Sequence, residues 1–337
     1  MLSRRNILQF QGLRRAFSSL PVNLENLTEH AAVRQHIVSQ RDESKINAPT
    51  TLPGDVDTTR QEGVSTARHY MNMGKSLVKL YKSGIVNVWR NNWKVRSLQQ
   101  QYNFKNVNAL TRHILDTSFA QSIEKDKEPV TPTPAHITRS DYQMILRTNM
   151  DFKKLPLFAV IFAVFFEMTP LLVMVFPRIT PTTCSLPYQI SKDHENANRN
   201  IDLLKLLRDE TTNNSTVHQL GHVELQTLAK VLFHSQMLPV SLYPRKMLEQ
   251  KVQNHIDRVR ADNILLSRFG SVWALDKKEL VSACLARAIP TKDRTETQMR
   301  ADLLLWISNL HEGNFDAGFF FFPIQTSQKQ AEKILDL

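Results

Sequence analysis

Few side-chain groupings in this chain have the types and spacing that chemistry requires. His218 and His222 stand four residues apart with Glu224 nearby, the separation at which two imidazoles on one helix face can share a metal. The stretch HQLGH lacks the catalytic Glu of a zinc peptidase and contains a helix-weakening Gly, so the pair reads as polar-face histidines. Cys184 and Cys284 form no CxxC pair and have no zinc-type spacing to histidine; they read as two buried thiols in a reducing compartment. No Ser/His/Asp set, phosphate-binding loop or paired-carboxylate motif is present. The sequence therefore assigns no catalytic residue, metal or cofactor, points to no small-molecule substrate, and predicts a protein that is not an enzyme.

Glu167 is different because of its surroundings. It lies within LPLFAVIFAVFFEMTPLLVMVFP, residues 155–177, an apolar run whose other polar residue is Thr169 and which also holds Pro170. The run has 23 residues. As a helix that is roughly 35 Å, slightly more than a hydrocarbon core. Lys153 and Lys154 flank one end and Arg178 the other, so the run is expected to be a transmembrane helix. A carboxylate at that depth must be protonated, paired, or turned toward protein or water. Glu167 then reads either as a proton- or cation-binding group or as a donor to the carbonyl that Pro170 leaves unpaired. Both readings stay open.

The third chemical signal is charge. The chain has 43 Lys and Arg against 32 Asp and Glu, a net charge of +11. Between Gly63 and Leu115 there is no acid, while Arg68, Lys75, Lys79, Lys82, Arg90, Lys94, Arg96, Lys105 and Arg112 are all basic. Tyr70, Tyr81, Trp89, Trp93 and Tyr102 are interleaved with them. Cations meet phosphates and amphipathic rings settle at head-group level, so an anionic membrane suits this segment. Structured RNA suits it as well.

Helices must present these groups. With only nine Gly and no train of short strands, the chain reads as all-α. Residues 1–17 carry Arg4, Arg5, Arg14 and Arg15 with no acid before Glu25, the pattern of a mitochondrial transit peptide. Residues 18–63 read as a weakly ordered linker and 64–154 as a basic amphipathic helical region. Within the latter, a helix near 66–101 is expected to bury Met73, Leu77, Leu80, Ile85, Val88 and Trp89, with Gly74 and Gly84 weakening it. The span at 155–177 follows, then a helical domain at 178–337. There Pro244 opens one helix, Asp276 with Glu279 caps the next, and Thr295 with Gln298 caps another.

Three stretches together resemble the LETM family of mitochondrial inner-membrane proteins. These are ITRSDYQMILRTNMDFKKLPLF, the span with Glu167, Pro170, Phe176, Pro177, Pro181 and Thr183, and a helical pair carrying Glu279, Leu280, Cys284, Arg287, Leu303 and Trp306. No EF-hand loop or C-terminal heptad run accompanies them, and Ala288 stands where the family usually has Gly. The resemblance implies a single-pass inner-membrane protein whose 14-3-3-like bundle faces the matrix and binds the mitochondrial ribosome. It further implies support for insertion of mitochondrially made proteins and for potassium/proton balance, or a part in a cation/proton exchanger. Its implied partners are the mitoribosome, anionic inner-membrane lipids, and further copies or other LETM proteins.

Overall fold

The computed structural model describes residues 42–54, 66–123, 136–165, 168, 173, 177–208, 215–234, 238–269, 271–310, 316–322 and 324–335. Among these, every regular element is helical. After a single turn at Glu43–Ile46 come α1 (Thr66–Tyr102), α2 (Val107–Ile123), α3 (Arg139–Val164), α4 (Pro187–Leu206) and α5 (His222–Leu232). They are followed by α6 (Arg245–Arg268), α7 (Lys277–Leu285), α8 (Glu296–Leu310) and α9 (Gln328–Leu335). The chain divides into two compact units, one of Ser44–Asn196 with Phe233–Leu242, the other of Met1–Glu43, Ala197–Leu232 and Tyr243–Leu337. The transit-peptide region at 1–17 lies outside the described residues.

In the first unit α1 runs unbroken for 37 residues. Tyr81, Gly84, Val88, Asn91, Val95, Leu98 and Tyr102 are buried at three- and four-residue steps, with Leu80 buried beside the first of them. Trp89, expected on that face, is instead 53% exposed. Gly84 does not break the helix; it admits another segment. A methyl group there would lie 2.5 Å from the Cys184 sulfur and 2.9 Å from the Thr183 carbonyl. The helix stops where Asn103 takes φ 48°, a left-handed conformation that Asn tolerates.

Helix α3 starts at Thr138, whose hydroxyl accepts from the Asp141 amide at 3.1 Å. It packs antiparallel to α1, because Lys94 pairs with Asp141 while Tyr81 meets Phe158 and Phe162. Leu155 and Phe158 turn inward, and Phe158 joins Tyr81, Val173 and Cys184 in one apolar cluster. Residues 46–51 strap the pair. Arg139 donates to the Ile46 carbonyl at 2.8 Å, Arg147 to the Thr51 hydroxyl at 3.1 Å, and Asn91 to the Thr50 carbonyl at 3.0 Å.

The expected single span over 155–177 does not form. Helix α3 ends at Val164, and Phe165 leaves the helical region with ψ 37°. Its apolar end is thus ten residues, about 15 Å, roughly half of what a bilayer core demands. Among the described residues no helix is long and apolar enough to cross a membrane. Pro170 has no amide proton and disfavours helix at Thr169, which works against one unbroken helix over 155–177. Glu167, Thr169, Pro170 and Phe176 lie outside the described residues.

In the second unit the expected caps are in place. Asp276 accepts from the Glu279 amide at 2.7 Å, and Thr295 and Gln298 bond reciprocally at 3.0 and 3.2 Å. Pro244 sits one residue before α6, at its N-cap. Arg287, 1% exposed, donates to Asp262 at 2.7 Å, to Asn263 and to the Ala283 carbonyl, and its guanidinium lies 5.5 Å from the Trp306 ring centre. It thereby ties α6, α7 and α8 together. Trp306 in turn packs edge-on to Phe319 and Phe320.

Candidate interaction surface

All nine cations between Gly63 and Leu115 are exposed. On α1, opposite the buried face, one outward line runs through Arg68, Met71, Lys75, Lys79, Lys82, Val86, Trp89, Trp93, Arg96 and Gln100, always three or four residues apart. Its four apolar members are strongly accessible for their type: Met71 at 55%, Val86 at 37%, Trp89 at 53% and Trp93 at 56%. The Arg96 guanidinium lies 5.4 Å from the Trp93 ring centre, a distance at which cation and π-face attract. Trp89 meets Phe152 of α3 with ring centres 6.3 Å apart. Arg90 and Lys94 flank the line, and Lys94 pairs with Asp141 at 3.4 Å. The seven expected anion contacts thus share one helix, with five on the outward line and two beside it.

Helix α3 lies alongside with a face of another character. Lys153, Leu157, Val160 and Val164 follow one another at three- and four-residue steps, all exposed. The packing beneath is polar and pinned. Asp151 accepts from the Thr182 amide and hydroxyl, each at 2.9 Å, and Lys154 donates to the Thr180 carbonyl at 3.3 Å. Thr183 donates to the Gly84 carbonyl at 3.2 Å, and Pro181 caps the short 3₁₀ turn at Thr182–Cys184. Pro177 opens a second such turn. Pro177, Pro181 and Thr183, expected as the exit of a span, therefore belong to a segment folded back onto α1 and α3. Burial raises the Asp151 pKa against the opposing pull of its hydrogen bonds, and burial lowers that of Lys154.

The remaining sequence candidates do not form a reactive site. Burial pushes the Cys184 and Cys284 thiols up to about 12, so both are protonated and unreactive at neutral pH. His218 lies in a turn ahead of α5, not with His222 on one helix, and bonds Glu249 at 3.0 Å. Among the described residues no group of three or more His, Cys, Asp or Glu could hold a metal. Glu279, Leu280, Cys284, Arg287, Leu303 and Trp306 are all buried, so this set is internal packing and not a binding face.

The sequence profile of the pentamidine resistance factor domain matches residues 57–266, more than half of the chain, and the protein belongs to that family. The LETM resemblance is thereby corrected, and with it goes the ground for a 14-3-3-like bundle. Two of the three stretches that carried it lie inside the matched region. They were short apolar and proline-bearing motifs, which unrelated helical proteins share. One curated relative is the mitochondrial pentamidine resistance factor of Saccharomyces cerevisiae, 28% identical over 128 residues. That alignment takes in 35% of this chain and 30% of the relative, so the chain spans under a third of that protein's length. No solved structure matches the chain.

Proposed function

We propose that this protein is a mitochondrial, non-enzymatic docking module that holds an anionic inner-membrane surface through α1. The observation that carries the reading is the exposed line from Arg68 to Arg96, where cations alternate with Trp89, Trp93, Val86 and Met71. Phosphate-rich interfaces select that mixture, because cations neutralise head groups while the rings occupy the layer beneath. A mitochondrial setting is supported by the arginine-rich, acid-poor N-terminus and by the printed name of the yeast relative.

Flotation of the protein with neutral and anionic phospholipid vesicles tests the reading. Recovery with anionic vesicles alone, falling as salt rises, is the expected result. Equal recovery with both vesicle types, or none with either, overturns it.

The mitochondrial ribosome is the second reading, favoured by the acid-free character of 63–115, which rRNA phosphates would also attract. Co-sedimentation across a salt series measures it. Cation/proton exchange is not part of the proposal, since it required Glu167 within a span. Protein insertion, ion balance and self-association rested on the family now corrected.

A further inference from the structure

We infer that the outward side of the α1–α3 pair inserts in plane into one leaflet of an anionic phospholipid bilayer, with the Leu157–Val160–Val164 ridge of α3 as the inserted edge. The inference rests on the preceding reading that α1 meets an anionic membrane, and it adds a depth and an element that electrostatic docking does not require.

Single exposed apolar residues are ordinary on a soluble surface; a continuous ridge of them is not. Leu157 is 46% exposed, Val160 62% and Val164 67%. They cover successive turns of one helix, and after Lys153 and Lys154 no charged residue interrupts the stretch up to Phe165. The opposite face of the same turns is occupied, with Leu155 and Phe158 fully packed in the core. The ridge is therefore surplus to folding. From Leu157 to Val164 it measures about 10 Å, too short to cross a bilayer yet matched to a helix lying at the head-group/acyl boundary. Lys153 at its start can bury its methylene stem while its ammonium stays at the phosphates.

The neighbouring helix decides the occupant. Tyr81 of α1 meets Phe158 and Phe162 in the core, so the turns of α1 that carry Lys79 and Lys82 lie level with the turns of α3 that carry the ridge, while Trp89 of the outward line itself meets Phe152 of α3. A continuous plane of phosphates above acyl chains complements cations, indoles and aliphatic ridge at once. A protein partner would need acidic and apolar surfaces in the same register.

The experiment uses the full chain, with its two buried cysteines retained, and an environment-sensitive fluorophore on Val160→Cys. Leu206→Cys, at a position 81% exposed in the other unit, is the control. With anionic vesicles carrying quenchers on the acyl chains, the Val160→Cys label is expected to shift to the blue and be quenched, and the Leu206→Cys label to do neither. Vesicle binding with the Val160→Cys label still in water overturns insertion while leaving surface docking intact. Failure to bind anionic vesicles at all overturns both. A blue shift without vesicles that grows with protein concentration assigns the ridge to a second copy and overturns the inference. Val160→Asp with Val164→Asp supplies an independent arm: because both side chains are exposed, folding is unchanged. Binding at low salt should persist, and recovery at high salt should fall roughly tenfold relative to wild type. Equal high-salt recovery would count against insertion.

Discussion

Ala288 shows how one residue can carry strain without any loss of contact. It ends α7 with φ 56°, while the Ile289 amide bonds the Cys284 carbonyl at 2.9 Å and its own amide bonds Leu285 at 3.1 Å. That six-residue closure wants glycine in the left-handed position. A Cβ there costs about 1–2 kcal/mol, and glycine's larger unfolded-state entropy returns part of it. Ala288→Gly should therefore stabilise the protein by about 0.5–1 kcal/mol, read as a higher urea midpoint. Arg287 is the opposite case, a buried cation held by Asp262, Asn263 and a carbonyl. Arg287→Ala strands the Asp262 carboxylate and should cost about 3–5 kcal/mol by the same measurement. His194 titrates low, to about 4, because burial disfavours its charged form and His234 adds repulsion. Its folded pKa lies below the ordinary 6.5, so the unfolded chain binds the proton more tightly between these values. Its contribution is complete above about pH 6.5 and is lost as pH falls toward 4. A series of urea midpoints across that window should slope less steeply in His194→Gln than in wild type.

At the scale of elements, the decisive contacts come from residues far apart in sequence. Gly84 looked like a weak point of α1 when only local propensity was considered. In the fold it is where the Thr182–Cys184 turn touches the helix, and the missing side chain is what permits that touch. The Thr183 carbonyl is backbone and cannot swing away, so Gly84→Ala should destabilise by about 1–3 kcal/mol despite its better helix propensity. At Gly74, where nothing lies within 4 Å, the same change should stabilise by up to about 1 kcal/mol. The pair of variants, compared by thermal or urea unfolding, separates packing from propensity. The Asp276 and Thr295 caps were legible in the sequence because a cap is settled within four residues. The burial of Arg139 and Arg147 was not, since their partners lie more than ninety residues earlier.

For the whole molecule, the net charge is +11, and α1 carries seven cations and no acid; all nine cations of the acid-free stretch are turned to solvent. Each cation near an anionic bilayer contributes about 1 kcal/mol. Lys75→Ala, Lys79→Ala and Lys82→Ala combined should then weaken partitioning onto anionic vesicles by roughly 100-fold, with binding to neutral vesicles unchanged. The loss should shrink as ionic strength rises, because salt already screens the same attraction. A loss that is independent of salt would point to misfolding rather than to surface charge, and circular dichroism of the triple variant distinguishes the two.

Composition and local pattern were enough to establish helices throughout the described residues, their principal caps and the one-sided charge of 63–115. Each depends on neighbours within a few residues or on a simple count. The destination of the apolar run 155–177 was beyond them. Hydropathy counts side chains, and a membrane-spanning helix and a helix end packed on a protein core share the same apolar count. Only the packing of Phe158 against Tyr81, the stop at Val164 and the return of Thr182 to Asp151 distinguish the two. The same holds for Trp89, whose spacing suits either edge of the α1 stripe. Its exposure was decided by where α3 lies, a long-range contact that periodicity within one helix does not encode.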